Sequence, residues 1–170
     1  MIKQLANIIS MANLGFGVLS LCLTLSGKLS LAALMILISV CLDYLDGWTA
    51  RRFGIESLLG KNLDSLSDII SFGVAPALLI NAHIGGAFGV ISAMIFIMCG
   101  AYRLARFNSL DVKDYFVGLP ITFAGGIVGL LALLFGRIGT AFWVVALLLL
   151  SLLMISVIKV KKIGTKSSSH

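Results

Sequence analysis

The sequence is poor in charged residues and in proline. Of its 170 residues, 12% are charged and 2 are proline, while 59% are hydrophobic and the mean hydropathy is +1.10. A soluble globular domain carries about 25% charged residues. The composition therefore excludes a soluble domain and indicates an integral membrane protein. The apolar runs are continuous and do not alternate with polar residues, which also excludes a transmembrane β-barrel.

The chain also lacks the patterns of a zinc site or a nucleic-acid interface. Its cysteines, Cys22, Cys41 and Cys99, stand singly in apolar runs with no C-x-x-C or Cys/His spacing, so we predict that they act as small hydrophobes. The net charge is +6, but the basic residues lie in short gaps between apolar runs. No basic stripe is interleaved with aromatics. We therefore expect no nucleic-acid partner.

Long apolar segments dominate the chain, and a membrane-spanning helix needs about 20 such residues. Six segments qualify, approximately 5–26, 29–51, 60–82, 86–108, 117–136 and 139–160. The predicted fold is an all-α integral membrane domain of six transmembrane helices over residues 1–160. The first segment is interpreted as a retained helix, because no A-x-A-like cleavage site follows it. Residues 161–170 form a predicted polar cytoplasmic tail, disordered or in part a cloning remnant.

The distribution of basic residues predicts the orientation. A cytoplasmic N-terminus leaves Lys28 and Arg137 on the outer side and puts the other eleven of the 13 Lys and Arg residues inside. The positive-inside rule favours this arrangement. We expect a multi-pass protein of the plasma (inner) membrane of a prokaryote, bacterial or archaeal. Both termini and the aspartate-rich end of the helices would be cytoplasmic.

The few acidic residues are concentrated in one stretch. Five of the seven lie between Asp43 and Asp68, and the aspartates among them sit in or beside apolar runs, at Asp43, Asp46, Asp64 and Asp68. Unpaired carboxylates at membrane depth cost about 2.5–3.5 kcal/mol each and usually mark a functional site. The spacing i, i+3 on the second predicted helix and i, i+4 on the third puts each pair on one face. A short loop makes these helices antiparallel neighbours, so their acidic stripes can face each other.

Clustered carboxylates repel one another unless cations or protons neutralise them. An all-oxygen ligand set suits Mg²⁺, Mn²⁺ or Ca²⁺ rather than zinc, and four aspartates are enough for two cations. Two such cations can stabilise phosphoryl transfer. Gly47, Ala50 and Gly60 leave space beside the carboxylates, and Arg51 offers a guanidinium to a phosphate. Solvated helix ends and close helix packing are the ordinary alternative for such residues, but they explain this joint spacing poorly.

One motif unites these residues: Asp43-x-x-Asp46-Gly47-x-x-Ala50-Arg51, eight residues, then Gly60-x-x-x-Asp64-x-x-x-Asp68. It resembles the complete signature of the CDP-alcohol phosphatidyltransferase family. The resemblance implies a six-helix membrane enzyme, usually dimeric, with two divalent cations, Mg²⁺ or Mn²⁺, and Ca²⁺ as a further ion in a crystal. It implies metal ligands at all the motif aspartates, with Asp68 also the general base. The implied CDP-binding residues are Asp46, Gly47, Ala50, Arg51 and Gly60.

The second half of the chain bears on the acceptor. Arg103 and Arg106 are spaced to clamp an anion, such as a substrate phosphate or an acceptor carboxylate, although positive-inside anchors are an equal reading on charge alone. The segment CGAYRLARFN at 99–108, with FVGLP at 116–120, resembles the phosphatidylserine synthase branch of the family. That resemblance implies CDP-diacylglycerol and L-serine as substrates. It makes Arg103, Arg106 and Asn108 candidate acceptor-site residues.

Other functions stay open at this point. The same chemistry could use glycerol 3-phosphate or inositol phosphate as the acceptor, or an archaeal CDP-archaeol as the donor. A phosphorylated acceptor would require an additional cationic pocket. The alternative of a different class is a divalent-metal or proton transporter, which uses charges along a path across the membrane and often has internal repeats. Here the aspartates cluster toward one side and the motif does not recur.

Overall fold

The computed structural model describes residues 2–53, 58–109, 115–135, 138–156 and 159–161. Its first two helices are α1 (Ile2–Leu25) and α2 (Leu29–Phe53). The third runs from Leu58 to Ile84 as α3 (Leu58–Asp68), a π turn (Ile69–Val74) and α4 (Ala75–Ile84). The remaining elements are α5 (Gly86–Ser109), β1 (Tyr115–Val117), α6 (Ile121–Ala132), α7 (Thr140–Ile155) and β2 (Lys159–Lys161).

The helical bundle confirms the all-α membrane fold. Among the described residues, 4 helices are long and apolar enough to cross a membrane, and they coincide with the first predicted spans. The fifth and sixth predicted spans are apolar helices as well, but they are shorter than predicted. With 12 and 16 residues and a rise of about 1.5 Å per residue, α6 and α7 are about 18 and 24 Å long. The hydrocarbon core is about 30 Å thick.

Local backbone chemistry explains where α6 begins. The predicted span starts at residue 117, but Gly118 has φ +76°, a conformation that favours glycine and interrupts a helix. Pro120 then stands at the N-cap with φ −58° and ψ 140°. Its fixed φ suits the entrance to a helix, and its missing N–H costs nothing there. The helix therefore begins at Ile121.

The C-terminal end also differs from the prediction. The sixth predicted helix runs to residue 160, whereas α7 ends at Ile155 and Ser156 is already extended, with ψ 144°. Beyond it, Lys159–Lys161 pairs antiparallel with Tyr115–Val117, and Phe116 lies opposite Val160. This small ribbon is an addition to the all-α bundle. Residues 162–170 of the predicted tail lie outside the described residues.

The third helix forms the centre of the bundle. Its buried apolar side chains pack with those of α2, α5, α6 and α7, and the largest are Phe72, Phe96, Ile36, Leu79 and Trp143. The π turn ends two residues before Pro76, which has no N–H to donate and lies in the first turn of α4. Such turns often lie at functional sites, and this one follows directly after Asp68.

Small and polar residues line the buried face of α1. They recur at alternating spacings of three and four residues, as Ser10, Asn13, Gly17, Ser20 and Thr24. A side chain at Gly17 would collide with Ser71 of the π turn. Small residues at such a seam let membrane helices approach closely, and hydroxyls can hydrogen-bond across it. The first helix is therefore held against the others by polar contacts and close backbone approach.

A close contact between helix backbones in the core predicts a stability effect. A Cβ at Gly125 of α6 would lie 2.6 Å from the Phe72 carbonyl oxygen and 2.7 Å from its Cα, so backbone atoms would have to move. Gly125→Ala should therefore lower stability by about 1–3 kcal/mol, as overpacking of a core does. The midpoint of thermal unfolding in detergent measures it. Gly15→Ala is the matched control, because nothing lies within 4 Å of its Cβ. Equal midpoints for the two variants would contradict this packing.

Candidate active site

Three of the predicted site aspartates lie together. Asp43 near the end of α2 and Asp64 and Asp68 on α3 each offer a carboxylate oxygen, and these oxygens all lie within 4.8 Å of one another. The side chains of Asp43 and Asp68 are within hydrogen-bonding distance of each other. Asp68 is buried, while the other two are half-buried. The carboxylates of these three residues thus face one another, as the helical spacing predicted.

Asp46, the fourth aspartate, is not a member of this trio, although its charge acts on Asp64. It is buried, and its Oδ2 accepts a hydrogen bond from the Ser10 hydroxyl of α1. It lies one turn after Asp43 on α2, and it differs from Asp43 in its bond to α1. The prediction that Asp46 ligates a metal and binds the nucleotide stays a prediction. The bond from Ser10 was not expected from the motif.

A seam of serine hydroxyls fixes α1 beside the aspartates. Ser67, next to Asp68, donates to the Ser10 carbonyl at 2.9 Å, and Ser71 of the π turn donates to the Asn13 carbonyl at 3.1 Å. From α2, Ser39 donates to the same Asn13 carbonyl at 3.3 Å. These bonds join the two acidic helices through α1. They position the carboxylates without adding charge to the site.

Arg103 of α5 places a positive charge at the site. It is 7% exposed, and its charge acts on Asp68. Its guanidinium carbon lies 5.5 Å from the centre of the Phe107 ring, a cation–π contact that supports the guanidinium from one side. Its Nε has no hydrogen-bond partner among the described residues. A buried arginine with a donor to spare, beside a carboxylate cluster, is suited to an anionic ligand.

The other predicted acceptor-site residues have different surroundings. Arg106 is half-buried, with Nη1 3.5 Å from the Ile155 carbonyl oxygen and a buried Nη2 that has no partner among the described residues. Asn108 is exposed and donates from Nδ2 to Ser65 Oγ at 2.8 Å. Asn108 therefore fastens the end of α5 to α3. Its predicted role in acceptor binding stays a prediction.

The structure describes only some of the residues that are predicted to bind CDP. Gly47 is half-buried on α2, one turn after Asp43, and Gly60 is half-buried in the first turn of α3. The side chains of Ala50 and Arg51 lie outside what the structure describes. The role of all four residues in binding CDP accordingly stays a prediction.

The carboxylate trio is chemically suited to a divalent cation. Its donors are all carboxylate oxygens, the ligands that Mg²⁺ and Mn²⁺ prefer. Asp68 Oδ1 is buried and has no hydrogen-bond partner among the described residues. A buried acceptor of this kind requires a ligand, an ion or a water. The residues present thus fit a metal site.

These features define a multi-pass membrane protein with a carboxylate centre at one end of its helices, beside a buried arginine. The chain belongs to the CDP-alcohol phosphatidyltransferase family, whose sequence profile matches residues 3–158. The identification made from the aspartate motif is confirmed.

Relatives with named activities point to one branch of the family. The archaetidylserine synthase of Methanothermobacter thermautotrophicus is 38% identical over 172 residues, covering 97% of this chain and 72% of the relative. The CDP-diacylglycerol–serine O-phosphatidyltransferase of Methanocaldococcus jannaschii is 46% identical over 134 residues, covering 78% of this chain and 64% of the relative. The enzyme of that name from Bacillus subtilis is 34% identical, covering 89% and 86%. The chain spans 49% to 56% of several other relatives.

Proposed function

We propose that this protein transfers the phosphatidyl group of a CDP-linked lipid to the hydroxyl of L-serine, giving phosphatidylserine and CMP. The observation that carries the proposal is the carboxylate trio of the family motif packed beside the buried Arg103. The relatives named for serine transfer support serine as the acceptor. The relatives' names include CDP-diacylglycerol as a donor and archaetidylserine as a product, so the proposed donor is a CDP-linked membrane lipid.

In this proposal the chain's own residues handle the proton and the charges. The serine hydroxyl oxygen forms a bond to the lipid-linked phosphorus, and the bond from that phosphorus to the bridging diphosphate oxygen breaks. Asp68 accepts the hydroxyl proton, since its buried Oδ1 has no other partner among the described residues. CMP departs with the bridging oxygen. Arg103 and Arg106 bind the serine carboxylate, because each has a guanidinium nitrogen without a described partner.

The two divalent cations would be held by Asp43, Asp64 and Asp68, with Asp46 as the further ligand that the family motif implies. When bound, Mg²⁺ or Mn²⁺ offsets negative charge on the diphosphate. The proposed CDP-binding site is formed by Gly47, Ala50, Arg51 and Gly60. The glycines and the alanine leave room for the nucleotide beside the carboxylates.

The proposed setting is the cytoplasmic face of a prokaryotic plasma membrane, with the protein as a homodimer. The excess of Lys and Arg at the predicted inner ends of the helices supports this orientation. The donor's lipid tails would lie among the apolar helices while its nucleotide lies at the interface. Family membership supports the dimer.

An acceptor screen tests the proposal. Purified protein in CDP-diacylglycerol-containing micelles with Mn²⁺ or Mg²⁺ is offered L-serine, glycerol 3-phosphate, inositol phosphate or no acceptor, and CMP release is measured. We expect release with serine at least about ten times that with the other acceptors, a difference of about 1.4 kcal/mol in barrier. CMP release with glycerol 3-phosphate and not with serine would show that glycerol 3-phosphate is the acceptor. Divalent-ion flux in liposomes without any CMP release would favour a transporter instead.

A further inference from the structure

The last turn of α7 faces the acceptor side of the site, although its sequence carries no charged residue. Three successive carbonyls of this turn contact residues from α5 or the segment before α6. The Leu153 carbonyl accepts a hydrogen bond from the Leu119 N–H at 3.1 Å. The Met154 carbonyl lies against Gly118, and the Ile155 carbonyl faces Arg106 Nη1 at 3.5 Å. The end of α7 thus contacts both segments of the second half that carry the family resemblance, 99–108 and 116–120.

The electrostatics of a helix end explain why these carbonyls attract such partners. The last four carbonyls of a helix have no donor within the helix, and together they carry about half a negative charge. A guanidinium placed there is stabilised and loses freedom of movement. Arg106 Nη1 occupies this position while Nη2 is buried without a described partner. Nη1 of the guanidinium therefore contacts the end of α7, and Nη2 is available to bind a ligand.

Gly118 permits this contact between the end of α7 and Arg106. Its φ of +76° favours glycine, and a Cβ there would collide with the Met154 carbonyl oxygen and lie 3.1 Å from the Ser156 carbonyl oxygen. All of these atoms are backbone, so no side-chain rotation could relieve the contact. The pairing of β1 with β2 immediately before Gly118 and after α7 holds both segments in this register. A substitution at Gly118 would push the α7 carbonyls away from Arg106.

We propose that the C-terminal turn of α7 positions Arg106 for the carboxylate of the acceptor, and that Gly118 is the positioning residue that permits this contact. The inference rests on the proposed function, in which Arg106 binds the acceptor. It gives α7, the helix furthest in sequence from the aspartate motif, a part in acceptor affinity. In this arrangement, neither Gly118 nor α7 touches the reacting atoms.

The test measures KM for serine and for CDP-diacylglycerol in the parent, Gly118→Ala, Arg106→Gln and the double variant. Arg106→Gln should raise KM for serine about 10- to 100-fold with kcat little changed, as expected when a charged hydrogen bond is lost from substrate binding. Gly118→Ala should raise KM for serine about 5- to 10-fold and leave KM for the CDP-lipid within about twofold. In the Arg106→Gln background, Gly118→Ala should add less than about twofold, because both changes act through one guanidinium.

Gly27→Ala is the matched control. Gly27 also has a positive φ, of +73°, but nothing lies within 4 Å of its Cβ, so its variant carries the same backbone strain without the contact. We expect its KM values to equal those of the parent. If Gly118→Ala does not fold, Gly118→Asn replaces it, since asparagine tolerates positive φ while its Cβ still meets the Met154 carbonyl.

The possible failures are distinguishable. An unchanged KM for serine in Arg106→Gln would remove Arg106 from the acceptor site, which overturns that part of the proposed function and the inference with it. A raised KM in Arg106→Gln but parental values in both Gly118 variants would overturn the positioning role alone. Equal increases for serine and the CDP-lipid, or effects of Gly118 and Arg106 that simply add, would show general disruption and also overturn it.

Discussion

Replacing Asp68 by asparagine should lower the rate of CMP release by about 10³-fold or more. A general base contributes about 10²- to 10⁴-fold, and Asp68 also belongs to the trio suited to a cation, so both roles are weakened together. Asparagine has nearly the same shape, so the buried side chain keeps its packing. The measurement is turnover with serine under saturating substrates, together with equilibrium binding of the CDP-lipid.

We expect the Asp68→Asn protein to remain folded and to retain part of its CDP-lipid binding. Asp68 lies where α3 passes into the π turn, and the bonds that fix this point come from the neighbouring Ser67 and Ser71 hydroxyls. The substitution leaves those bonds intact. Loss of activity with intact folding would therefore show that the substitution impairs the chemical step.

Asp111→Asn is the control for this variant. This substitution also removes one negative charge, but from a residue outside the family motif. Asp111 lies outside the described residues. Turnover there should equal that of the parent. Turnover of Asp68→Asn within about tenfold of the parent, below the usual contribution of a general base, would refute the assignment of Asp68 as the base.

The fold was predictable where one physical constraint dominates. Continuous apolar runs of about 20 residues must form spanning helices because lipid satisfies no backbone hydrogen bonds, and the first predicted spans are confirmed. The ends of α6 and α7 depend instead on particular backbone contacts. The positive φ of Gly118 and the pairing of Tyr115–Val117 with Lys159–Lys161 join segments far apart in the chain. Hydropathy carries no information about such pairing.

The site was predictable to the extent that it follows helical periodicity. The spacing of Asp43, Asp64 and Asp68 predicted facing stripes, and their carboxylates are clustered. The bond between Asp46 and Ser10 depends on how α1 is rotated against α2, which the motif does not contain. A signal for it was present, because Ser10 begins a stripe of small polar residues with a helical repeat on α1.

Charge alone could not separate the roles of the residues at the end of α5. Arg103 and Arg106 read equally well as anchors or as an anion clamp. Burial of Arg103 and the spare donors on both guanidinium groups favour the clamp. Asn108 shows the opposite outcome, because its amide is engaged with Ser65 on a neighbouring helix. Partners across the bundle, which the sequence does not show, made the difference.

Replacing Asp64 by asparagine should separate the effect of the carboxylate cluster on stability from its effect on metal-dependent activity. Two charges within 4.8 Å of each other repel by about 3.5 kcal/mol or more at an effective dielectric constant of about 20. In a chelating buffer, removing one of them should leave the midpoint of thermal unfolding equal to that of the parent or higher. The activity with Mg²⁺ or Mn²⁺ should nevertheless fall by about 10²-fold or more, because a ligand that lies beside both other carboxylates is lost.

The same variant should lose most of its stabilisation by cations. A cation that binds only the folded protein adds about 2.7 kcal/mol at 100 times its dissociation constant, so Mn²⁺ should raise the unfolding midpoint of the parent clearly. Asp64→Asn should show less than about half of that rise, while Asp111→Asn should show all of it. The combination of an unchanged or higher midpoint in chelator and a reduced response to Mn²⁺ cannot come from a merely structural aspartate, whose removal would lower both midpoints. A full Mn²⁺ response in Asp64→Asn would remove this residue from the cation site.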